Sequence, residues 1–178
     1  GDKFTGYYCH GKKTGVGEMV WADGERRLCI YKNDKPNGIG IYFPNYGKVR
    51  PCIYVNGEDT YKKDMEKRLR KAEYHTFEDS RYEGNVKIAR DGEIILHGYG
   101  TLYFDNGSIY SGLFQNDKFC EGFIYRKEVN VLMYGTYDID EAPHGKVTIL
   151  FGGDLEMYEG DFDHGNYHGK GKYQDISG

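Results

Sequence analysis

Long apolar runs are missing from this chain, and so is a large surplus of either charge. The hydrophobic stretches extend only a few residues, mean hydropathy is −0.76, and hydrophobic residues make up 38% of the 178. No segment supplies the roughly 20 apolar residues that a membrane-spanning helix needs. No secretory signal opens the sequence, which starts inside a repeat and reads as a piece of a longer protein. Cys9, Cys29, Cys52 and Cys120 show no CxxC and no paired Cys/His spacing, which argues against a zinc site. Phosphate-loop and dinucleotide patterns are absent, as are a nucleophile beside a recognisable base and an acidic loop spaced for Ca²⁺. Acid pairs such as Asp138/Asp140 and Glu156/Glu159 read as solvated charge. The sequence therefore predicts no enzyme, no cofactor and no metal.

The net charge of −4 conceals a division, with residues 1–80 carrying +3 and residues 81–178 carrying −7. Phosphate contacts need a concentrated basic face, so nucleic acid is excluded as a partner. The division would suit head-to-tail or antiparallel association of two copies, and scattered surface charge explains it equally well.

Glycine and tyrosine are what the chain has in abundance, at 26 and 18 residues, with aromatics at 16%. They recur together about every 23 residues. The cleanest copy places Tyr158, Gly160, Phe162, Gly165, Gly169 and Gly171 at the offsets of Phe4, Gly6, Tyr8, Gly11, Gly15 and Gly17. Numbering each unit from its first aromatic, positions 1, 3 and 5 alternate onto one strand face, and the glycines at 12 and 14 do the same on the returning strand. Turn-forming residues lie between, as in 10–13, 33–37, 116–118 and 163–166. Each unit is thus a β-hairpin, with rings lying across neighbouring glycines in place of a thick core.

The copies begin at Phe4, Arg27, Arg50, Tyr82, Tyr110, Met133 and Tyr158. Copies two and three replace the aromatic and glycine by Arg27/Cys29 and Arg50/Cys52, and the fourth carries a longer loop near 89–92. In copies five and six the glycine pair is read as Gly122/Ile124 and Gly145/Val147. Cys29 and Cys52 are equivalent positions, two strand spacings or roughly 9–10 Å apart. That is too far for a disulfide, so both should stay reduced, in keeping with an intracellular, cytoplasmic setting.

Three segments follow: repeats one to three over 1–57, a helical insertion over 58–80, and repeats four to seven over 81–178. The insertion predicts an amphipathic helix over 60–74, capped by Thr60. Tyr61, Met65, Leu69 and Ala72 form its apolar stripe, and Lys62, Lys63, Lys67, Arg68, Arg70 and Lys71 its basic face. The stripe would pack on the sheet end left by repeat three. Alternatively it would present a partner-binding surface or touch anionic lipid.

The phrase Y-x-G-x-F-x-x-G-x-x-x-G-x-G resembles the MORN repeat (membrane occupation and recognition nexus), over nearly the whole chain except about 58–80. The resemblance implies a mainly β fold: an elongated single-layer antiparallel sheet of stacked hairpins, twisted into a trough or rod. Seven hairpins at roughly 9–10 Å each would run about 65 Å. It also implies a cytoskeletal, ciliary or cortical scaffold that often self-associates, or a phospholipid-binding module. Related repeats also occur beside kinase and methyltransferase domains, so a regulatory fragment of an enzyme is a further reading. For the scaffold, the candidate groove comprises Tyr8, Tyr31, Tyr54, Phe114, Tyr137 and Phe162, taking a partner helix or peptide or a second copy as a homodimer. The opposing reading has packing between repeats consume these rings. For anionic lipid, or for a partner on the helix, the candidates are Lys67, Arg68, Arg70 and Lys71. His97, His144 and His168 each directly precede a repeat glycine and read as structural, and His10, His75 and His164 have no obvious acidic or Cys partner in sequence.

Overall fold

Turn chemistry fixes the hairpins. His10–Gly11, Asn33–Asp34, Asn56–Gly57, Asn116–Asp117 and His164–Gly165 all have both central residues in the left-handed region. That is the two-residue turn whose twist matches the flanking strands. In a computed structural model, which describes residues 1–69 and 73–175, every predicted copy begins on the first strand of a hairpin. The first three are β1 (Lys3–Cys9) with β2 (Lys12–Val20), β3 (Arg26–Lys32) with β4 (Lys35–Phe43), and β5 (Arg50–Val55) with the two-residue β6 (Glu58–Asp59). The last four are β8 (Ser80–Ile88) with β9 (Ile94–Phe104), β10 (Ile109–Gln115) with β11 (Lys118–Arg126), β12 (Val131–Tyr137) with β13 (Pro143–Phe151), and β14 (Glu156–Asp163) with β15 (Asn166–Gln174).

Four of these turns are clipped to the hairpin before them. Asp34 N–H donates to the Lys13 carbonyl at 3.1 Å, and its carboxylate accepts from Lys13 N–H at 2.9 Å. Asp117 repeats the pattern on Leu96 at 3.0 and 2.7 Å. The antiparallel ladder carries a row of minimal side chains across the strands. In one sheet it runs Gly6, Gly17, Cys29, Gly40, Cys52. In the other it runs Gly84, Gly100, Gly112, Gly122, Gly135, Val147, Gly160, Gly171. The position-1 rings of Phe4, Tyr82 and Tyr158 lie across this row, as expected. A Cβ on Gly17 would stand 2.5 Å from the Phe4 ring, and one on Gly84 or Gly160 would stand 2.6 Å from Cζ of Tyr82 or Tyr158.

The fifth copy differs from the expected register. A bulge at Cys120 leaves Leu113 opposite Glu121 and Phe114 opposite Phe119, so Gly122 faces Gly112 on the row. Gly122 is therefore the equivalent of Gly17, and Ile124 lies two residues beyond.

The insertion breaks the stack. A helix, α1 (Thr60–Arg68), follows β6, with Asp59 rather than Thr60 as N-cap. It ends at Arg68, capped by Leu69, six residues short of the expected Tyr74. Tyr74 lies instead in a further strand, β7 (Glu73–Thr76), paired to β8. Ala72, Arg70 and Lys71 lie outside the described residues. The hairpins thus form two open antiparallel sheets, β1 to β6 in order and β15 to β7 in order.

These sheets pack against each other, so the seven hairpins do not run in one row. The strand face opposite the glycine row is aliphatic. Val16, Leu28, Ile39 and Ile41 of the first sheet share one core with Ile109, Phe123, Tyr125, Leu132, Leu150 and Met157 of the second. Phe43 meets Tyr125 edge-on at 5.7 Å, and Lys48 pairs with Glu83 at 2.5 Å. The helix stripe closes the seam, as the packing reading of the insertion expected. Met65 is buried, the Tyr61 ring stands 4.9 Å from Phe123, and its hydroxyl donates to the Ser111 carbonyl at 2.9 Å.

Candidate functional site

The glycine-row face of the six-stranded sheet carries the departures from the repeat. Cys29 and Cys52 fill the space that glycine leaves open elsewhere, on either side of Gly40. With that space filled, a flat ring cannot lie on the row at position 1, and arginine stands there instead. Arg50 is neutralised by Asp59, stacks on Tyr42 at 5.2 Å, and donates to Cys52 Sγ at 3.2 Å.

Arg27 has a different environment. Its guanidinium lies over Trp21 at 5.0 Å, Tyr54 at 5.1 Å and Tyr31 at 5.8 Å, and donates to the Tyr31 hydroxyl at 3.3 Å. Its Nε is buried without a hydrogen-bond partner, and among the described residues no carboxylate lies within ion-pair distance of it. Three rings offset part of the cost of withdrawing this cation from water. Phe4 extends the aromatic patch, edge-on to Tyr31 at 5.0 Å and to Tyr8 at 5.3 Å. Burial pushes the thiols of Cys29 and Cys52 up to about 11 and 12, so both remain neutral. All four cysteines are free.

The six candidate groove rings do not behave as one set. Tyr31, Tyr54, Phe114, Tyr137 and Phe162 are all buried, whereas Tyr8 is 49% exposed. Each buried ring packs within its own sheet: Tyr31 and Tyr54 around the two cysteines, and Phe114, Tyr137 and Phe162 in a cluster with Tyr82 and Phe119. Packing between repeats therefore consumes five of the six, and Tyr8, edge-on to Phe4 on β1, stays half exposed. A partner would meet what flanks them: Tyr8, Trp21 and Arg27. The sequence had singled out Arg27 as a departure from the repeat, and nothing local in it pointed to Trp21.

Of the four described basic residues of the helix face, three are ion-paired. Lys62 pairs with Glu66 at 3.9 Å, Lys63 with Glu58 at 3.6 Å, and Arg68 with Asp64 at 3.4 Å. Arg68 also stacks on Tyr99 at 4.6 Å, while Lys67 points to solvent. A cleft beside the helix is lined by Tyr61, Asp64, Arg68, Tyr99, Glu121 and Tyr134, with no nucleophile and base in contact. Three histidines need correction, the first being His10, whose Nδ1 lies 3.2 Å from Cys9 Sγ. His164 lies 2.6 Å from Asp138, and His75 lies 3.3 Å from Glu73, so both have acidic partners. In His164 the partner is 26 residues away in sequence, brought near by the stacking of turns.

Two open sheets of sequential hairpins, with rings laid on glycine rows and no catalytic cluster among the described residues, define a β-hairpin repeat protein. The family model of the MORN repeat matches residues 4–26, 30–48, 95–109 and 158–178. The chain is a MORN-repeat protein, and that repeat is a non-enzymatic module. A search of curated proteins returned no match. Among the described residues no helix is long and apolar enough to cross a membrane.

Proposed function

We propose that this chain is a non-catalytic protein-interaction scaffold whose Arg27 face receives a partner segment bearing a carboxylate. The supporting observation is the half-buried guanidinium of Arg27, held between Trp21, Tyr31 and Tyr54 with no carboxylate of its own. A carboxylate arriving there meets a cation already partly stripped of water, with planar donors and an aromatic floor. Exposed Tyr8 and half-buried Trp21 supply rigid contact area beside it. The partner segment is a helix or an extended peptide, or the acidic half of a second copy in a cytoskeletal or cortical assembly.

Peptides selected from a random display library against the immobilised chain test this reading. Enrichment of Asp or Glu is expected, with binding weakened about 30-fold or more by Arg27→Gln, since breaking such a pair costs about 2 kcal/mol or more. Changing the peptide carboxylate to its amide should do the same. Equal binding to wild type and Arg27→Gln would refute the site. Anionic vesicles form the parallel arm. Salt-sensitive co-sedimentation lost on neutralising Lys67, Arg68, Arg70 and Lys71 would favour a lipid-binding module instead.

A further inference from the structure

We infer that the turns of the last two hairpins form a Zn²⁺ site built from Asp138, His144 and His164. One ligand atom from each of the three lies within 4.8 Å of the others. The inference is independent of the Arg27 face, which is on the other sheet.

The backbone prepares the cluster. Asp138 opens the β12–β13 turn, and its Oδ1 accepts from Asp140 N–H at 2.9 Å and Ala142 N–H at 3.0 Å. That fixes the carboxylate and turns Oδ2 towards Nδ1 of His164, at 2.6 Å. His164 lies in the β14–β15 turn, where Gly165 N–H donates to the Pro143 carbonyl at 2.8 Å and holds the two turns together. His144, the second residue of β13, completes the set, with its ring 5.2 Å from that of His164. Asp163 borders both rings, 3.3 Å from His144 Nδ1 and 3.7 Å from His164 Nε2.

Two imidazoles and a carboxylate suit a borderline ion such as Zn²⁺ better than the hard ions Ca²⁺ and Mg²⁺. Zinc–nitrogen and zinc–oxygen bonds of about 2.0–2.2 Å require ligand atoms closer together than 4.8 Å. Movement of about 1 Å closes the set, and His144 and His164 can supply it because their side chains are 49% and 68% exposed. With Asp138 on the Nδ1 side of His164, Asp163 remains on the opposite nitrogen as the outer partner that orients a metal-bound imidazole. Solvent would fill the remaining coordination position.

The ion would cross-brace the turn of hairpin β12–β13 to that of β14–β15. β15 is the strand most in need of such a brace, since nearly its whole length is exposed and, among the described residues, only β14 pairs with it. Ligand binding to the folded state alone raises stability, so zinc should protect this hairpin in particular.

Isothermal titration of the whole chain with ZnCl₂ at pH 7.5 tests the site. One equivalent is expected to bind, with at least tenfold weaker affinity in His144→Gln and in His164→Gln. His168→Gln, on the exposed face of β15 outside the cluster, should bind as wild type does. Millimolar Ca²⁺ or Mg²⁺ should not compete. Hydrogen exchange should slow on β14–β15 when zinc is added, and stay unchanged in His164→Gln. Far-UV circular dichroism checks that each variant is folded. No saturable binding, or equal loss in His168→Gln, would overturn the proposal.

Discussion

Gly100→Ala tests the ring-over-glycine packing most directly. Gly100 has an ordinary strand conformation, so alanine brings no backbone strain, and any cost is steric. The new methyl would stand 2.6 Å from Cε2 of Tyr82 and closer still to its hydroxyl. Tyr82 is only 1% exposed, stands edge-on to Phe114 at 5.5 Å, and donates to the Asn85 carbonyl at 2.9 Å. Displacing it strains the cluster by about 1–3 kcal/mol, as overpacking does. The aromatic contact and the hydrogen bond are each worth about 1 kcal/mol more. A total near 3–5 kcal/mol would move the urea midpoint by about 1.5–2.5 M at an ordinary slope of about 2 kcal/mol/M. The decisive comparison is the same substitution in a Tyr82→Ala background, where its cost should fall below about 1 kcal/mol. If Gly100→Ala costs as much without the ring as with it, the ring is not what the glycine accommodates.

Tyr8→Ala should change stability by less than about 1 kcal/mol, while Phe114→Ala at the equivalent position should lose about 3–5 kcal/mol, because only the second ring is buried; urea melts compare the two. Tyr61→Phe removes the hydroxyl that bonds to buried Ser111 and should cost about 1–2 kcal/mol by the same assay. In the native protein at pH 8, a thiol reagent should leave Cys29 and Cys52 unmodified, since thiols held at about 11 and 12 by burial are almost wholly protonated there. Denaturation should release both, and rapid native labelling of either by mass spectrometry would contradict their placement.

The repeat phase was legible in the sequence, because glycine, aromatic and turn residues mark it at fixed offsets. All seven hairpin starts and the reduced state of Cys29 and Cys52 follow from that phase. The intervening phase carried as much information. Val16 and Ile39 sit between paired glycines, and Leu28, Leu132 and Leu150 alternate with the row. Strands apolar on both faces signal cover on both. The stretch around Gly122 misled because its bulge holds one residue where those of the first and last copies hold two, so the row glycine falls one residue early rather than late. The helix end was hidden because apolar periodicity continues to Ala72 beyond the cap at Leu69. Neither the three rings around Arg27 nor the cluster of Asp138, His144 and His164 has a local signature. Each is assembled by strands or turns that become neighbours only when hairpins stack.

The shared aliphatic core between the sheets changes how this chain should fold. In an open stack each unit touches only its neighbours, so unfolding can begin at an end and creep inward. Here Leu28 is buried against partners about a hundred residues along the chain, and Gly152 lies beside its methyl groups. Loss of the first hairpins would uncover the second sheet at once. Melting should therefore be a single cooperative event shared by both halves, and refolding should be slowed by the wait for distant strands to meet.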